Sequence, residues 1–361
     1  MKKFLAIFFS TLISYSFIFF YFFLFLNSSF EKNFKIKETA IFYKKYFNQV
    51  EHIRYKDKYR FEKKSEDLIF NYIKKKPGDK TILFQGDSWI NHINKYQSSQ
   101  KLIKDQLNHY PNIINAGTTS YSPSLMFSQF KILENDFNIR PSTMIIYVDQ
   151  TDMGDELCRY KRLINYDEKG NFIKVSGEKF PLYQDVFNLH EKITLSLIQL
   201  NDKNRFVKTQ LLINYKIKKS MSKIKKKIIS FLYKDKKIVK CEWQIIEGYK
   251  EKLSTKDEKY LVELFKKYFY FLNNKNYIET VYVVTHPHKK QLLTNEQSID
   301  ISRIVSNSII KLNKFEHINF SNILKKEKIY ENLETIWKND QVHLKERNYN
   351  IFLKKLLESV E

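Results

Sequence analysis

The chain has 361 residues, enough for about one to three domains and for a substantial apolar core. Apolar residues make up 43% of it, which excludes a disordered chain. The formal charge of +23 comes from 63 Lys plus Arg against 40 Asp plus Glu. The lysines are spread among Asn and Ile along the whole length, a compositional drift with no nucleic-acid-binding motif beside it, so no nucleic-acid partner is expected.

Residues 4–26, FLAIFFSTLISYSFIFFYFFLFL, form an uncharged apolar run long enough to cross a bilayer as a helix. Lys2 and Lys3 precede it, and a short basic leader favours a cytoplasmic N-terminus, which puts everything after Asn27 on the outer side. A cleaved signal peptide normally has a shorter apolar region and a small-x-small site, whereas LNSSF follows here. The run therefore predicts an uncleaved single-pass anchor within residues 1–30. In an oxidising compartment Cys158 and Cys241 either pair or remain two thiols; spacing does not decide.

Charged and aromatic residues at helical spacing predict a helical stalk over 31–76, and PGDK at 77–80 reads as a turn into the main domain, residues 77–361. Short apolar runs then predict buried parallel strands: TILFQ (81–85), NIINA (112–116), TMIIYVD (143–149), TVYVVT (280–285) and HINFS (317–321). Helical patterns lie between most of them, notably at 124–138 and 256–272. Strands alternating with helices imply a parallel five-stranded sheet covered on both faces, with function at the strands' carboxyl ends.

A segment at about 156–254 is far longer than a crossover needs and is expected to be a largely helical insertion. Within it NYDEKGNF (165–172) reads as a hairpin turn. Ile217, Met221, Ile224, Ile228 and Phe231 form an apolar helix stripe crowded by lysines. Such a helix either lies on anionic lipid or glycan or packs on its own domain with a solvated basic face.

The candidate chemistry lies at the strand ends. Gly86-Asp87-Ser88 follows the first strand, and Ser or Asp there is by itself an ordinary helix N-cap. Near the other end of the chain stands Asp340-Gln341-Val342-His343, where an Asp three residues before a His can orient the imidazole as general base to a serine. The second strand runs into Asn115-Ala116-Gly117, offering a bare backbone N–H to a developing oxyanion. His286 and His288 follow the fourth strand and are candidates for substrate contact or for a plain loop. His92, one helical turn beyond Ser88, reads as structural.

These blocks, in this order, resemble those of the SGNH hydrolases, the GDSL esterase/lipase superfamily, over residues 80–155 and 277–361. The resemblance implies a flavodoxin-like three-layer α/β/α sandwich. It implies Ser88 as nucleophile, His343 as base, Asp340 as its orienting carboxylate, and oxyanion donors from the N–H groups of Ser88 and Gly117. The family's third block, Gly-x-Asn-Asp, is replaced here by Asp149-Gln150-Thr151-Asp152, leaving Thr151 only a hydroxyl to donate. Asp149 and Asp152 bring carboxylates to the edge where substrate is expected. They, Asp155 and Glu156 make either a hydrogen-bonded acidic loop or a hard-cation site without defined ligand spacing, so no metal or other cofactor is expected. A D-x-[ST]-D pattern after SYSP more loosely resembles SGNH-like proteins of bacterial surface-polysaccharide loci.

The expected function is an esterase on the outer face of a bacterial inner membrane, removing acyl groups, most simply acetyl, from a glycan or other envelope molecule. Passing the same acyl group to a sugar hydroxyl would make it an O-acetyltransferase, with an acyl-exporting membrane protein as partner. The altered third block keeps open a non-catalytic envelope scaffold.

Overall fold

The structure is a computed structural model, and it describes residues 69–175, 253–294, 301–340 and 342–360, with a few helical positions between 10 and 20. The chain divides into two units, and the description below concerns the second; the first, residues 1–45, 57–65 and 180–240, lies almost wholly outside the described residues. Most of the apolar run 4–26, the stalk as far as residue 68 and the lysine-rich helix at 217–231 fall outside them too. Among the described residues no helix is long and apolar enough to cross a membrane.

The centre is a six-stranded sheet built from β1 (Asn71–Lys74), β2 (Thr81–Gln85), β3 (Asn112–Asn115), β4 (Thr143–Val148), β7 (Thr280–Thr285) and β8 (Phe315–Asn319). Its order is β1-β3-β2-β4-β7-β8. Five strands are parallel, and their order, second-first-third-fourth-fifth along the chain, is the doubly wound flavodoxin-like one. Every residue of β2 and β4 is buried, as continuous apolar runs covered on both faces must be.

The sixth strand corrects the sequence reading. Residues 71–74, assigned above to the helical stalk, pair antiparallel with β3 at the sheet edge. Only Ile73 of NYIK is buried, and an edge strand with one inward side chain carries little period-two signal. The last strand, expected at 317–321, runs Phe315–Asn319, because the Asn319 side chain caps a helix that begins at Phe320.

Helices flank the sheet: α1 (Ser88–His92), α2 (Gln97–Gln106), α3 (Pro123–Phe137), α4 (Gln150–Asp155), α5 (Thr255–Asn273), α6 (Lys289–Thr294), α7 (Ile301–Ile309), α8 (Phe320–Lys326) and α9 (Glu346–Glu358). Their limits follow local chemistry. Pro123 sits in the first turn of α3, and Asn138 ends it in the left-handed region at φ 52°. Ser254 caps α5 by accepting from the Asp257 N–H, with Asp257 and Glu258 in the first turn.

The start of the expected insertion is not helical throughout. A π-helical turn (Glu156–Tyr160) and a 3-10 turn lead into a hairpin of β5 (Ile164–Tyr166) and β6 (Phe172–Val175). Asp167 Oδ1 accepts from the N–H groups of Lys169 and Asn171 in its turn, which is the turn predicted there. Residues 176–252 lie outside the described set. Cys158 is disulfide-bonded.

One packing contact positions the site. Gly117, just past β3, passes against α1 so closely that an added Cβ would stand 2.5 Å from Asn91 N and 2.6 Å from the Ile90 carbonyl carbon. Both are backbone atoms and cannot swing away. Gly117→Ala is therefore expected to cost about 1–3 kcal/mol of stability, the usual range for overpacking, read as a lower urea midpoint at unchanged slope.

Candidate active site

Ser88 opens α1 directly after β2, and Asp87 is the residue that caps the helix, its Oδ1 accepting from the Trp89 N–H at 2.8 Å. The serine is therefore not needed as the cap. Trp89 is fully buried, stacked on Tyr147 with centroids 5.0 Å apart and edge-on to Phe352 at 5.5 Å. With its neighbour anchored in this way, Ser88 is held at the surface of the core, 9% exposed.

His343 arrives from the loop before α9. Trp337 and Leu344 form an isolated antiparallel bridge that closes this loop, with Lys338 N–H donating to His343 O at 2.7 Å. Asp340 Oδ1 accepts from the N–H groups of Val342 and His343, so the carboxylate shapes the turn that carries the imidazole. Its other oxygen, Oδ2, lies 2.7 Å from His343 Nδ1, and His343 Nε2 lies 2.7 Å from Ser88 Oγ. Ser88, His343 and Asp340 are thus in one hydrogen-bonded line.

Burial pushes the His343 imidazole below its ordinary pKa, against the opposing pull of the Asp340 charge and hydrogen bond. Burial would raise Asp340, but the hydrogen bonds from His343 outweigh it and hold the carboxyl low. A base kept neutral and a carboxylate kept ionised is the protonation state in which a serine proton can move to Nε2. His92 lies edge-on to His343 at 4.6 Å and accepts from Lys338 Nζ at 3.0 Å. Burial and then the neighbouring His343, Lys95 and Lys338 charges lower His92 to about 3, so it packs as a neutral ring.

The oxyanion donors depart from expectation. Gly117 N–H donates to Asn115 Oδ1 at 2.7 Å, and Thr151 Oγ1 donates to Asp149 Oδ1 at 2.5 Å. The Ser88 N–H interacts with the Asp87 carboxylate. None of the three predicted donors points at an empty position. An Asx turn two residues before Gly117 and a cap two residues before Thr151 take them, both features of local turn geometry.

The candidate substrate contacts are also corrected. Asp149 and Asp152 are fully buried and belong to the capping box of α4, each side chain accepting from the backbone N–H of the other. His286 is 1% exposed, packed on Trp89 at 4.9 Å and Phe352 at 5.4 Å, with Nε2 3.1 Å from Tyr330 Oη. Burial lowers it to about 3, so it is a neutral core ring. His288 Nε2 instead meets Asp149 Oδ2 at 3.1 Å, a partnership that its position after a strand did not reveal. Glu156, buried, accepts from Ser122 Oγ at 2.6 Å, Ser124 N at 3.1 Å and Tyr260 Oη at 2.8 Å, so the SYSP segment serves to seat α3. A cavity of roughly 660 Å³ beside Pro287 and Tyr330 includes none of Ser88, His343 or Asp340 in its wall and is not the reaction centre.

No family model and no curated protein matches the chain. Among solved structures it is similar to a gut microbial diltiazem-metabolizing enzyme, with 10% identity over 80% of this chain and 48% of that one and a TM-score of 0.38. Two mutant forms of Axe2 are also similar, one described as an acetyl-xylooligosaccharide esterase and the other as an acetylxylan esterase from Geobacillus stearothermophilus. Each is 11% identical at a TM-score of 0.36, covering 80% and 79% of this chain and 95% and 96% of theirs. The chain spans about half the length of the first of these proteins. Likeness at these scores carries no inference about activity.

Asp340→Asn tests the relay without any substrate. Because Asp340 holds the His343 pKa up against burial, removing its charge should lower the imidazole midpoint further, followed by NMR titration of labelled histidines. A midpoint that stays or rises would show that Asp340 does not act on the ring.

Proposed function

We propose that this protein is a membrane-anchored serine esterase of the SGNH type. Its substrates would be acyl esters, most simply acetyl esters, of a glycan or related molecule of the bacterial envelope. The observation that carries this reading is the unbroken contact from Ser88 Oγ through His343 to Asp340, 2.7 Å at each imidazole nitrogen. In it, Ser88 Oγ passes its proton to His343 Nε2 and bonds the ester carbonyl carbon. The tetrahedral intermediate expels the alcohol, which takes that proton, and water activated by His343 then releases the acid.

The developing oxyanion needs donors, and a charged oxygen competes for them with whatever they already serve. Gly117 N–H is held by a neutral amide oxygen, which a full negative charge outcompetes; Thr151 Oγ–H is held by a carboxylate, which it does not. The donor we assign to the hole is therefore Gly117 N–H; Thr151, and by the same rule the Ser88 N–H beside the Asp87 carboxylate, are left out of it.

The envelope setting draws on different support. An uncharged run behind Lys2 and Lys3 fits a single-pass anchor with the domain outside, and a disulfide at Cys158 fits an oxidising compartment. Protease added to spheroplasts should digest the domain; survival there with cleavage after lysis would reverse the orientation. Transfer of the acyl group to a sugar, supplied by an acyl-exporting membrane partner, uses the same triad. The occupied oxyanion donors favour a second reading, a scaffold that keeps the fold without turnover.

A serine-directed fluorophosphonate separates these readings. It should label the wild type but not Ser88→Ala, and Ser88→Ala should abolish turnover of an aryl acetate, with His343→Ala nearly as low. Thr151→Val should change turnover by only a few-fold, whereas loss of a true oxyanion donor costs about 10²–10³. A folded wild type that takes no label would overturn the esterase and favour the scaffold.

A further inference from the structure

Behind Ser88, three buried carboxylates converge. Asp87, Asp149 and Asp152 each place an oxygen within 4.8 Å of the other two, and their side chains are 0–1% exposed. Asp87 Oδ1 accepts from Trp89 N and its Oδ2 from Ser88 Oγ. Asp149 Oδ1 accepts from Thr151 and Asp152, and its Oδ2 faces His288 Nε2. Asp152 Oδ2 accepts from Asp149 N. The one carboxylate oxygen with no donor is Asp152 Oδ1, buried and without any hydrogen-bond partner.

An ionised oxygen there would be desolvated, unpaired and repelled by two other carboxylates at once. His288 is spent on Asp149. A proton removes the conflict, because it neutralises that oxygen and makes it a donor in a group whose carboxylates lie within 4.8 Å of one another.

We propose that Asp152 keeps its proton at neutral pH, donating it into the Asp87–Asp149 carboxylates, and that this stored proton is a positioning device for the nucleophile. The catalytic part rests on the reading of Ser88 given above; the protonation itself does not. Ser88 Oγ lies 3.0 Å from Asp87 Oδ2 and 2.7 Å from His343 Nε2, and its single proton can serve only one of them. With a proton held behind it, Asp87 is the weaker acceptor, Ser88 turns to His343, and one negative charge fewer opposes the oxyanion. Loss of that proton at alkaline pH reverses both effects.

The electrostatics agree. Burial first, and then the Asp87 and Asp149 charges, push Asp152 well above the usual carboxylate range. Burial and Asp149 also raise Asp87, but against the hydrogen bonds from Trp89 and Ser88, which favour its ionised form. Asp149 is held low, since His288 and Thr151 outweigh its burial. The other titratable groups facing the cluster are Asp155 from α4, Tyr147 from β4, Tyr349 from α9, His343 from its loop and His286 from the turn after β7.

Infrared spectroscopy of the full-length protein in detergent reads the proton directly. At neutral pH the wild type minus Asp152→Asn difference should contain the C=O band of a protonated carboxylic acid, and titrating the wild type to alkaline pH should remove that band. That titration needs no variant to fold. Asp152→Asn, a permanent donor of the same shape, should retain more aryl-acetate turnover than Asp152→Ala and lose the alkaline fall of the wild-type pH profile. Only carboxylate bands at neutral pH would overturn the proposal. So would an alkaline limb unchanged in Asp152→Asn, or one equivalent of divalent metal in the purified chain whose chelation alters these bands. Missing fluorophosphonate label with the acid band present would instead sink the esterase and leave the proton in place.

Discussion

Parallel strands end at one edge, and here two neighbouring strands each deliver a carboxylate to it. β2 and β4 pair in register, Gln85 beside Ile146, so Asp87, two residues past Gln85, and Asp149, three past Ile146, come together beyond the strand ends. Neither is exposed to water, and their repulsion must be met from inside the protein. Helix N-termini supply the answer, since each starts with unsatisfied N–H groups. Asp87 caps α1 and Asp149 caps α4. The same two side chains therefore end the strands, start the helices and set the charge behind Ser88.

The relay depends on tertiary closure more than on any local element. Ser88 and His343 are 255 residues apart in sequence, and two further contacts draw their segments together. Tyr349 Oη donates to Trp89 O at 2.6 Å, tying α9 to α1, and Lys338 Nζ reaches His92 from the base-bearing loop. Tyr349, Phe352, Leu353, Leu356 and Leu357 of α9 are buried at helical spacing, which gives that tie its apolar backing.

What could be read in the sequence follows from range. Continuous apolar runs such as TILFQ and TMIIYV announce buried strands because each residue's own burial carries the signal. The order of the Ser, Gly and Asp-x-x-His blocks is equally local, and the structure brings Ser88, Asp340 and His343 into contact. The edge strand at Asn71–Lys74 was hidden because one buried side chain among lysines has no period. Donor assignments were hidden for another reason. Whether Gly117 N–H points outward depends on which neighbouring oxygen reaches it first, and Asn115, fixed by its own donation to Ile90 O at 2.9 Å, does. The place of His286 stays open in the sequence, because a ring after a strand looks alike whether it faces solvent or, as here, Trp89.

The third block and the THPH turn, which look unrelated in the sequence, are one electrostatic feature. An Asp at position 149, where the resembled family has Gly, adds a charge to an edge already holding Asp87 and Asp152. His288, its side chain 2% exposed against 0% for Asp149, is the group that answers this charge. Thr151 answers it as well, giving Asp149 both its N–H and its hydroxyl. A Thr at position 151, where the resembled family has Asn, therefore gives its hydroxyl to the Asp149 carboxylate. Two residues apart, His286 and His288 serve different parts of the edge: the first packs on Trp89, the residue after Ser88, and the second meets Asp149 Oδ2.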